Sequence, residues 1–171
     1  TRYSDLLGIR LAKGKPEETF KWFIASILLG ARISETLAIR TFRQFEMDGL
    51  LSFKKMSRAS WEELVASLDA GGYVRYDFST ADDLIADIKL LGERYGGDLD
   101  RLHSQAKNPR ELEALLMEFR GVGPVTANIF LRDIRGIWKK ADSPLGNLAK
   151  KAARELGIKD AKGYWAKHGM P

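Results

Sequence analysis

Two reactive side chains are scarce in this 171-residue sequence: cysteine is missing, and histidine occurs only at His103 and His168. Without cysteine, the chain has no disulfides, thiolate metal ligands, iron–sulfur clusters or cysteine nucleophiles. Only the two histidines can supply an imidazole. We therefore predict neither a metal site nor a cofactor.

Long apolar runs are missing as well. No run approaches the roughly 20 residues that cross a bilayer, and the opening stretch TRYSDLLGIR lacks the apolar region of a secretory signal. We therefore expect no membrane partner and an intracellular protein, in the cytoplasm or nucleoid of a prokaryote or the nucleus of a eukaryote. Hydrophobic residues still make up 44% of the sequence, which is enough for a buried core.

Positive charge is concentrated at one end of the sequence. Residues 139–171 contain eight basic and three acidic side chains, which accounts for the whole net charge of +5 and leaves the first 138 residues neutral. A basic segment on a neutral body suggests a polyanionic partner such as nucleic acid or an anionic membrane surface. A solvated lysine-rich helix explains the same charges equally well.

Strand-like alternation is not sustained anywhere for more than a few residues, whereas residues that start and stop helices recur along the chain. The sequence therefore predicts an all-α protein. The clearest helices run from Pro16 to Gly30, from Ser34 to near Gly49, from a capping box at Ser60 and Glu63, and from a cap at Ser79 or Thr80 to Gly96.

A glycine-rich turn in FRGVGPVTANIF separates two helix-like segments, the first ending near Phe119 and the second beginning at about Val125. Gly121 and Gly123 can adopt positive φ, and Pro124 suits the first turn of a helix. The N–H groups at the start of that helix would form an anion site suited to a phosphate. An ordinary helical hairpin with glycine at its bend is the alternative.

The residues around this turn match the helix-hairpin-helix signature apolar-x-G-apolar-G-x-x-T-A. We expect Val122 to be buried between the two helices, and Thr126 and Ala127 to allow their close approach. From about residue 17 to residue 142, the order of elements resembles the helix-hairpin-helix superfamily of base-excision DNA glycosylases, which includes endonuclease III and the 3-methyladenine glycosylase II group. FIASILLGARISETLAIRTF is similar to a helix junction of that family, and GGYVRYDFSTADDLIADIKLL to the segment before its hairpin.

The resemblance implies a two-lobed fold with a DNA-binding groove between the lobes. The central lobe would comprise residues 18–133, with the hairpin at about 112–134, and residues 1–17 and 134–171 would form the second lobe. The implied partner is double-stranded DNA that contains a damaged base, bound by a monomer. The residues assigned to DNA binding are Arg120, Gly121, Val122, Gly123, Val125, Thr126, Arg32, Lys139 and Lys140.

The resemblance also places a catalytic aspartate about twenty residues after the hairpin, and Asp142, 17 residues past Val125, is the best positional match. A fixed carboxylate there would stabilise positive charge on the sugar and orient or deprotonate the attacking water. Asp142 as a simple helix cap is the alternative. Asp133 is a rival position, inside the helix that leaves the hairpin.

Bifunctional members of the family carry a nucleophilic lysine two residues after the second glycine of the hairpin. Val125 occupies that position here, so the resemblance implies a monofunctional enzyme that uses water. A bifunctional lyase using Lys139 or Lys140 remains an alternative, as does a DNA-binding module without catalytic activity.

Extruding a base from a duplex requires a residue that fills the gap and a pocket that receives the base. The intercalating position of the family falls at Arg32, although a surface arginine in a helix junction is an alternative. Aromatic side chains for the pocket are available at Trp22, Phe23, Tyr73, Tyr76 and Trp138, and a place in the hydrophobic core is the alternative for each of them. An alkylated purine is the first candidate substrate, by the resemblance of the GVGP turn; uracil, mismatched thymine and oxidised purines remain open.

Overall fold

The computed structural model describes residues 2–141 and 147–168, which form α-helices, one 3₁₀ helix and no strand. The 3₁₀ helix is Leu11–Lys13. The α-helices are α1 (Tyr3–Leu6), α2 (Pro16–Gly30), α3 (Glu35–Met47), α4 (Phe53–Met56), α5 (Trp61–Gly71), α6 (Asp77–Tyr95), α7 (Leu99–Gln105), α8 (Pro109–Leu116), α9 (Pro124–Ile134), α10 (Asn147–Glu155) and α11 (Ala161–His168). The all-α prediction is confirmed. Within these ranges, no helix is long and apolar enough to span a membrane.

Helix α2 lies at the centre of the fold, since its side chains are buried on nearly every side. Trp22 and Ile24 have no exposed surface, and Phe23 is 2% exposed. Pro16 occupies the first helical turn, as predicted, where its missing N–H would have no helical partner. The indole N–H of Trp22 donates to the carbonyl of Phe130 over 3.0 Å, which links α2 to α9.

Helices α3 and α5 pack closely along a seam of small residues. A Cβ added to Gly71 would lie 2.7 Å from Cα of Thr41, so this approach requires glycine. Ser34 caps the start of α3, as predicted. Ser60 accepts the N–H of Glu63, whose carboxylate accepts the N–H of Ser60, so the predicted capping box is confirmed.

Helix α6 starts earlier than predicted. It begins at Asp77 and not after Ser79 or Thr80, and its end at Gly96 agrees with the prediction. The hydroxyl of Ser79 donates to the carbonyl of Tyr76 and does not accept an N–H as a cap would. The carboxylate of Asp77 stands in the first turn, where a negative charge is favourable.

The helix before the glycine-rich turn is shorter than predicted. Helix α8 ends at Leu116 and not near Phe119, because the N–H of Phe119 bonds to the carbonyl three residues before it and closes a turn. Helix α9 begins at Pro124, next to the predicted start at Val125.

The main hydrophobic core extends along the chain from Leu7 to Ala141. The core therefore contains residues from both of the predicted lobes. The division into two lobes stays a prediction. Helices α10 and α11 share a separate small cluster made of Ala153, Ala161 and Ile158.

Candidate nucleic-acid interface

The glycine-rich turn between α8 and α9 is fixed by one buried side chain and flanked by exposed backbone. Val122 is 5% exposed and belongs to the main core, so its predicted burial is confirmed. Gly121 and Gly123, on either side of it, are exposed. The buried valine anchors the turn while the two glycines lie at the surface.

The two glycines serve different purposes. Gly121 has φ of +70°, a left-handed conformation that favours glycine. Gly123 has an extended backbone with φ of −94° and ψ of −171°, and a Cβ added there would meet nothing within 4 Å. Gly123 is therefore not needed for the turn geometry; its missing side chain leaves open space in front of the first turn of α9.

The first turn of α9 has backbone donors without a partner inside the helix. Gly123 is the N-cap of α9 and supplies no capping side chain, and Pro124 has no N–H. Helix geometry leaves the N–H groups of Val125 and Thr126 without an intrahelical acceptor. The side chain of Val125 is 65% exposed, so this end of the helix faces solvent. The arrangement suits an anion such as a backbone phosphate.

The hairpin is held against α2 by an unusually close contact. A Cβ added to Gly30 would lie 2.0 Å from Oγ1 of Thr126, so only glycine fits at the end of α2. The Thr126 hydroxyl donates to the carbonyl of Gly121 over 3.4 Å, and Ala127 has no exposed surface. This close contact joins α9 to α2; the predicted close approach between the two helices of the hairpin stays a prediction. Arg32 is exposed and follows Gly30 by two residues, which places it in the chain segment beside the hairpin.

A cavity of about 120 Å³ lies against the turn. Helix α2 and helix α6 form its walls together with the turn, and its lining comprises Ile27, Leu28, Ala31, Tyr73, Thr80, Asp83, Leu84, Asp87 and Gly121. Three larger grooves include no residue of the turn: those of about 550 and 430 Å³ are lined by residues between α3 and α6, and one of about 460 Å³ is lined by residues 2–13. The smaller cavity is therefore the one that bears on the hairpin.

Asp87 connects this cavity to the turn, and the sequence analysis did not single it out. Its side chain is only 2% exposed, and its Oδ1 accepts the backbone N–H of Arg120 over 2.6 Å. Burial raises the pKa of Asp87 from 3.8 to about 8; the N–H of Arg120 opposes the rise and the carboxylate of Asp83 adds to it. Spacing of four residues puts Asp83 and Asp87 on one face of α6.

The loop before α6 presents apolar side chains to solvent. Val74 is 61% exposed and Tyr76 is 45% exposed. The guanidinium carbon of Arg75 lies 5.3 Å from the centre of the Tyr76 ring, a cation–π distance. Tyr73, the next residue upstream, lines the cavity. In the sequence this loop is marked by YVRY, aromatic, apolar and basic residues directly after a double glycine.

The segment that leads towards Asp142 is fastened to α7. The Trp138 ring stacks on His103 with centroids 4.7 Å apart and planes 7° apart, and its indole N–H donates to Asp100 over 2.8 Å. The backbone N–H of Lys140 donates to Nε2 of His103. Asp142 itself lies outside the described residues, so its predicted catalytic role stays a prediction.

The two lysines of this segment differ. Lys139 is exposed, as a residue that contacts DNA must be. The Lys140 ammonium donates to the carbonyls of Ser104 and Ala106 at the end of α7, where a cation is favoured by the helix dipole. Lys140 therefore has a structural contact that the sequence did not reveal.

Asp133, the rival position for catalysis, is completely buried. Its Oδ2 accepts both the N–H and the hydroxyl of Ser4 over 3.0 Å, and Nε of Arg132 lies 3.3 Å from its Oδ1. These contacts fix α1 onto α9 and give the carboxylate a structural role.

Of the five aromatic residues considered for a base pocket, four are part of the core: Trp22, Phe23, Tyr73 and Trp138. Trp22 has no exposed surface, Phe23 is 2% exposed and Trp138 is 4% exposed. The ring of Phe23 packs edge-on against Phe119, with centroids 5.0 Å apart. Tyr73 is 6% exposed and also lines the cavity beside the turn, whereas Tyr76 is 45% exposed.

The chain matches no protein-family model, and no curated protein and no solved structure matches it significantly. Within the part of the chain that the structure describes, no group of three or more histidine, cysteine, aspartate or glutamate side chains is placed to hold a metal ion. The assignment of function therefore depends on the geometry of the hairpin and on the cavity beside it.

Proposed function

We propose that this protein is a DNA glycosylase that grips the DNA backbone through its hairpin and releases a damaged base. The observation that carries the proposal is the turn itself, where buried Val122 fixes exposed Gly121 and Gly123 in front of an uncapped helix start. Exposed N–H groups at such a start bind phosphate without regard to sequence. The basic C-terminal segment would add a salt-dependent contribution to affinity.

In this proposal the two lobes of the family fold enclose the DNA, and Asp142 assists the attack of water on the sugar. Arg32 fills the gap left by the extruded base, because it is exposed and lies two residues after Gly30, which contacts the hairpin. The enzyme is monofunctional, since exposed Val125 offers no nucleophile and the Lys140 ammonium is engaged by two carbonyls. It leaves an abasic site.

The test of DNA binding uses substitutions that the fold tolerates. Gly123→Ala places a methyl group in open space, so the protein should fold normally while its affinity for duplex DNA falls roughly tenfold or more, the loss expected for a hydrogen bond to a charged group. Val125→Asp should weaken binding and flatten its salt dependence, although a negative charge is favourable at that helix position. Met47→Asp changes the net charge equally at an exposed position on α3 and is the matched control.

The test of catalysis is base release from oligonucleotides that each carry one lesion, with and without alkali to expose abasic sites. Asp142→Asn should abolish release and leave DNA binding intact. Equal affinity of Gly123→Ala, Val125→Asp and Met47→Asp for DNA would contradict the proposed grip. Binding without release from any lesion would identify a non-catalytic DNA-binding module, and borohydride trapping of a covalent complex would identify a lyase.

A further inference from the structure

The cavity beside the hairpin contains a buried acid with one unused oxygen. Oδ1 of Asp87 is occupied by the N–H of Arg120, whereas Oδ2 is buried and has no hydrogen-bond partner among the described residues. Asp87 is 2% exposed and lines the cavity. Unpaired buried polar atoms are rare in folded proteins and call for an explanation, such as contact with a ligand.

The protonation state of Asp87 makes it a hydrogen-bond donor. Burial raises its pKa to about 8, so the carboxyl is largely neutral at pH 7. Because Oδ1 accepts an N–H, the proton resides on Oδ2. The charged and titratable groups around it are Asp83 on the same helix, Arg120 in the turn and Tyr73 before α6, while α2 contributes apolar side chains to the cavity.

Asp83 precedes Asp87 by one helical turn and lines the same space, so the cavity offers an acceptor as well as a donor. Every nucleobase presents an acceptor next to a donor along one edge, which is the complement of this pair. The cavity volume of about 120 Å³ is below the ~150 Å³ that holds a benzene ring. The space therefore accommodates one edge of a base and not a whole purine, and apolar Ile27, Leu28 and Leu84 suit the ring faces.

A metal ion fits this cavity less well. A cation prefers ionised oxygen ligands, but Asp87 is neutral near pH 7 and one of its oxygens is already hydrogen-bonded. Among the other lining side chains only Asp83 is a carboxylate, and the hydroxyls of Thr80 and Tyr73 are hydrogen-bonded to each other.

We propose that this cavity binds one edge of the extruded nucleobase and that Asp87 is the catalytic acid that protonates the base as it leaves. This inference rests on the proposed glycosylase function. As the C1′–N bond breaks, its electron pair passes to the base, and the Oδ2 proton of Asp87 transfers to a ring nitrogen or carbonyl oxygen of that base. Water adds to C1′ and loses its proton to the carboxylate of Asp142, which then releases that proton to solvent, and solvent reprotonates Asp87.

The proposal predicts which substrates depend on Asp87. An uncharged base leaves as an anion unless it receives a proton, so its release requires the acid. A cationic base such as 7-methylguanine leaves as a neutral molecule and needs no proton. A purely structural role for Asp87 would affect both substrates equally.

The experiment compares wild type, Asp87→Asn and the control Glu93→Gln, an exposed residue on the same helix. Duplexes contain either 7-methylguanine or an uncharged base: hypoxanthine, uracil, 8-oxoguanine or mispaired thymine. In Asp87→Asn we expect release of the uncharged base to fall 100-fold or more, and release of 7-methylguanine to stay within about threefold. Wild-type release of the uncharged base should decline as pH rises through about 8, and the Asp87→Asn profile should lose this decline. Melting curves and DNA affinity establish that the variant is folded.

If Asp87→Asn slows release of both kinds of base equally, or if the wild type releases only 7-methylguanine, the acid role is overturned and the glycosylase proposal stands. If wild type releases no base at all, the glycosylase proposal and the acid role fail together. NMR titration of the protein with free hypoxanthine and with free adenine then decides whether the cavity binds a base. Binding that Asp87→Asn weakens supports that site; no binding, or Mg²⁺ or Ca²⁺ binding at Asp83 and Asp87 in its place, overturns it.

Discussion

Replacing Asp87 by asparagine should make the protein less sensitive to rising pH. Asparagine has the shape of the neutral carboxyl, and its Oδ1 can accept the N–H of Arg120 as the carboxyl does. The change therefore removes one titratable group and leaves the packing of the turn intact.

The sign and size of the effect follow from the pKa of Asp87, which burial raises from 3.8 in the unfolded chain to about 8 in the folded protein. Because its pKa is higher in the folded protein, protonation of Asp87 stabilises the folded state. This stabilisation is complete below pH 3.8 and is lost as pH rises towards 8, since unfolding in that range releases a proton. Each pH unit in this window costs about 1.4 kcal/mol. Between pH 5 and pH 7 the free energy of unfolding should therefore fall by roughly 2.5 kcal/mol through Asp87 alone. The fall in the free energy of unfolding between pH 5 and pH 7 is nearly the same for any folded-state pKa of Asp87 at or above 7.

Urea unfolding of wild type and Asp87→Asn at pH 5 and pH 7, followed by tryptophan fluorescence, measures the effect. Other titrating groups, such as His103, are shared by the two proteins and largely cancel in the difference. With a slope of about 2 kcal/mol per molar urea, the midpoint of Asp87→Asn should gain roughly 1 M relative to wild type between the two pH values. A constant difference would refute the reasoning and mean that Asp87 is ionised in the folded protein.

Three further substitutions test the packing around the site, with urea unfolding as the common measurement. Gly30→Ala should destabilise the protein by about 1–3 kcal/mol, because the added carbon would lie 2.0 Å from Oγ1 of Thr126; Thr126→Ala in the same chain should recover part of the loss. Asp133→Ala should cost about 1–3 kcal/mol, because it leaves buried Ser4 donors without an acceptor. Ser60→Ala should cost about 1 kcal/mol through loss of the capping box. An unchanged midpoint in any of the three would contradict the contact concerned.

Local chemistry explains the features that the sequence predicted well. Pro16 and Gly30 bound α2, Ser60 and Glu63 form the capping box, and Val122 is buried in the turn. Each depends on backbone preferences or on residues within one helical turn, so a short stretch of sequence contains the whole interaction. The start of α6 was missed because Ser79, a good cap residue by type, directs its hydroxyl to a carbonyl behind it.

The features that could not be predicted depend on residues far apart in the chain. Trp138 stacks on His103, 35 residues away, and the Lys140 ammonium bonds to carbonyls of α7. From its residue type alone, an aromatic side chain can lie at a DNA interface or in the core, and a lysine can contact DNA or the end of a helix. Only the packing of α7 against the segment after α9 decides between these environments.

By itself, the sequence determined the helical class, the glycine-rich turn and the absence of cysteine chemistry, because composition and neighbouring residues are sufficient for these. Only the tertiary structure decided the environment of Asp87. There its pKa is raised, it accepts a hydrogen bond from the N–H of Arg120, and it lines a cavity beside the turn. Arg120 follows Asp87 by 33 residues, and the burial that raises the pKa of the acid arises only when α2, α6 and the turn come together.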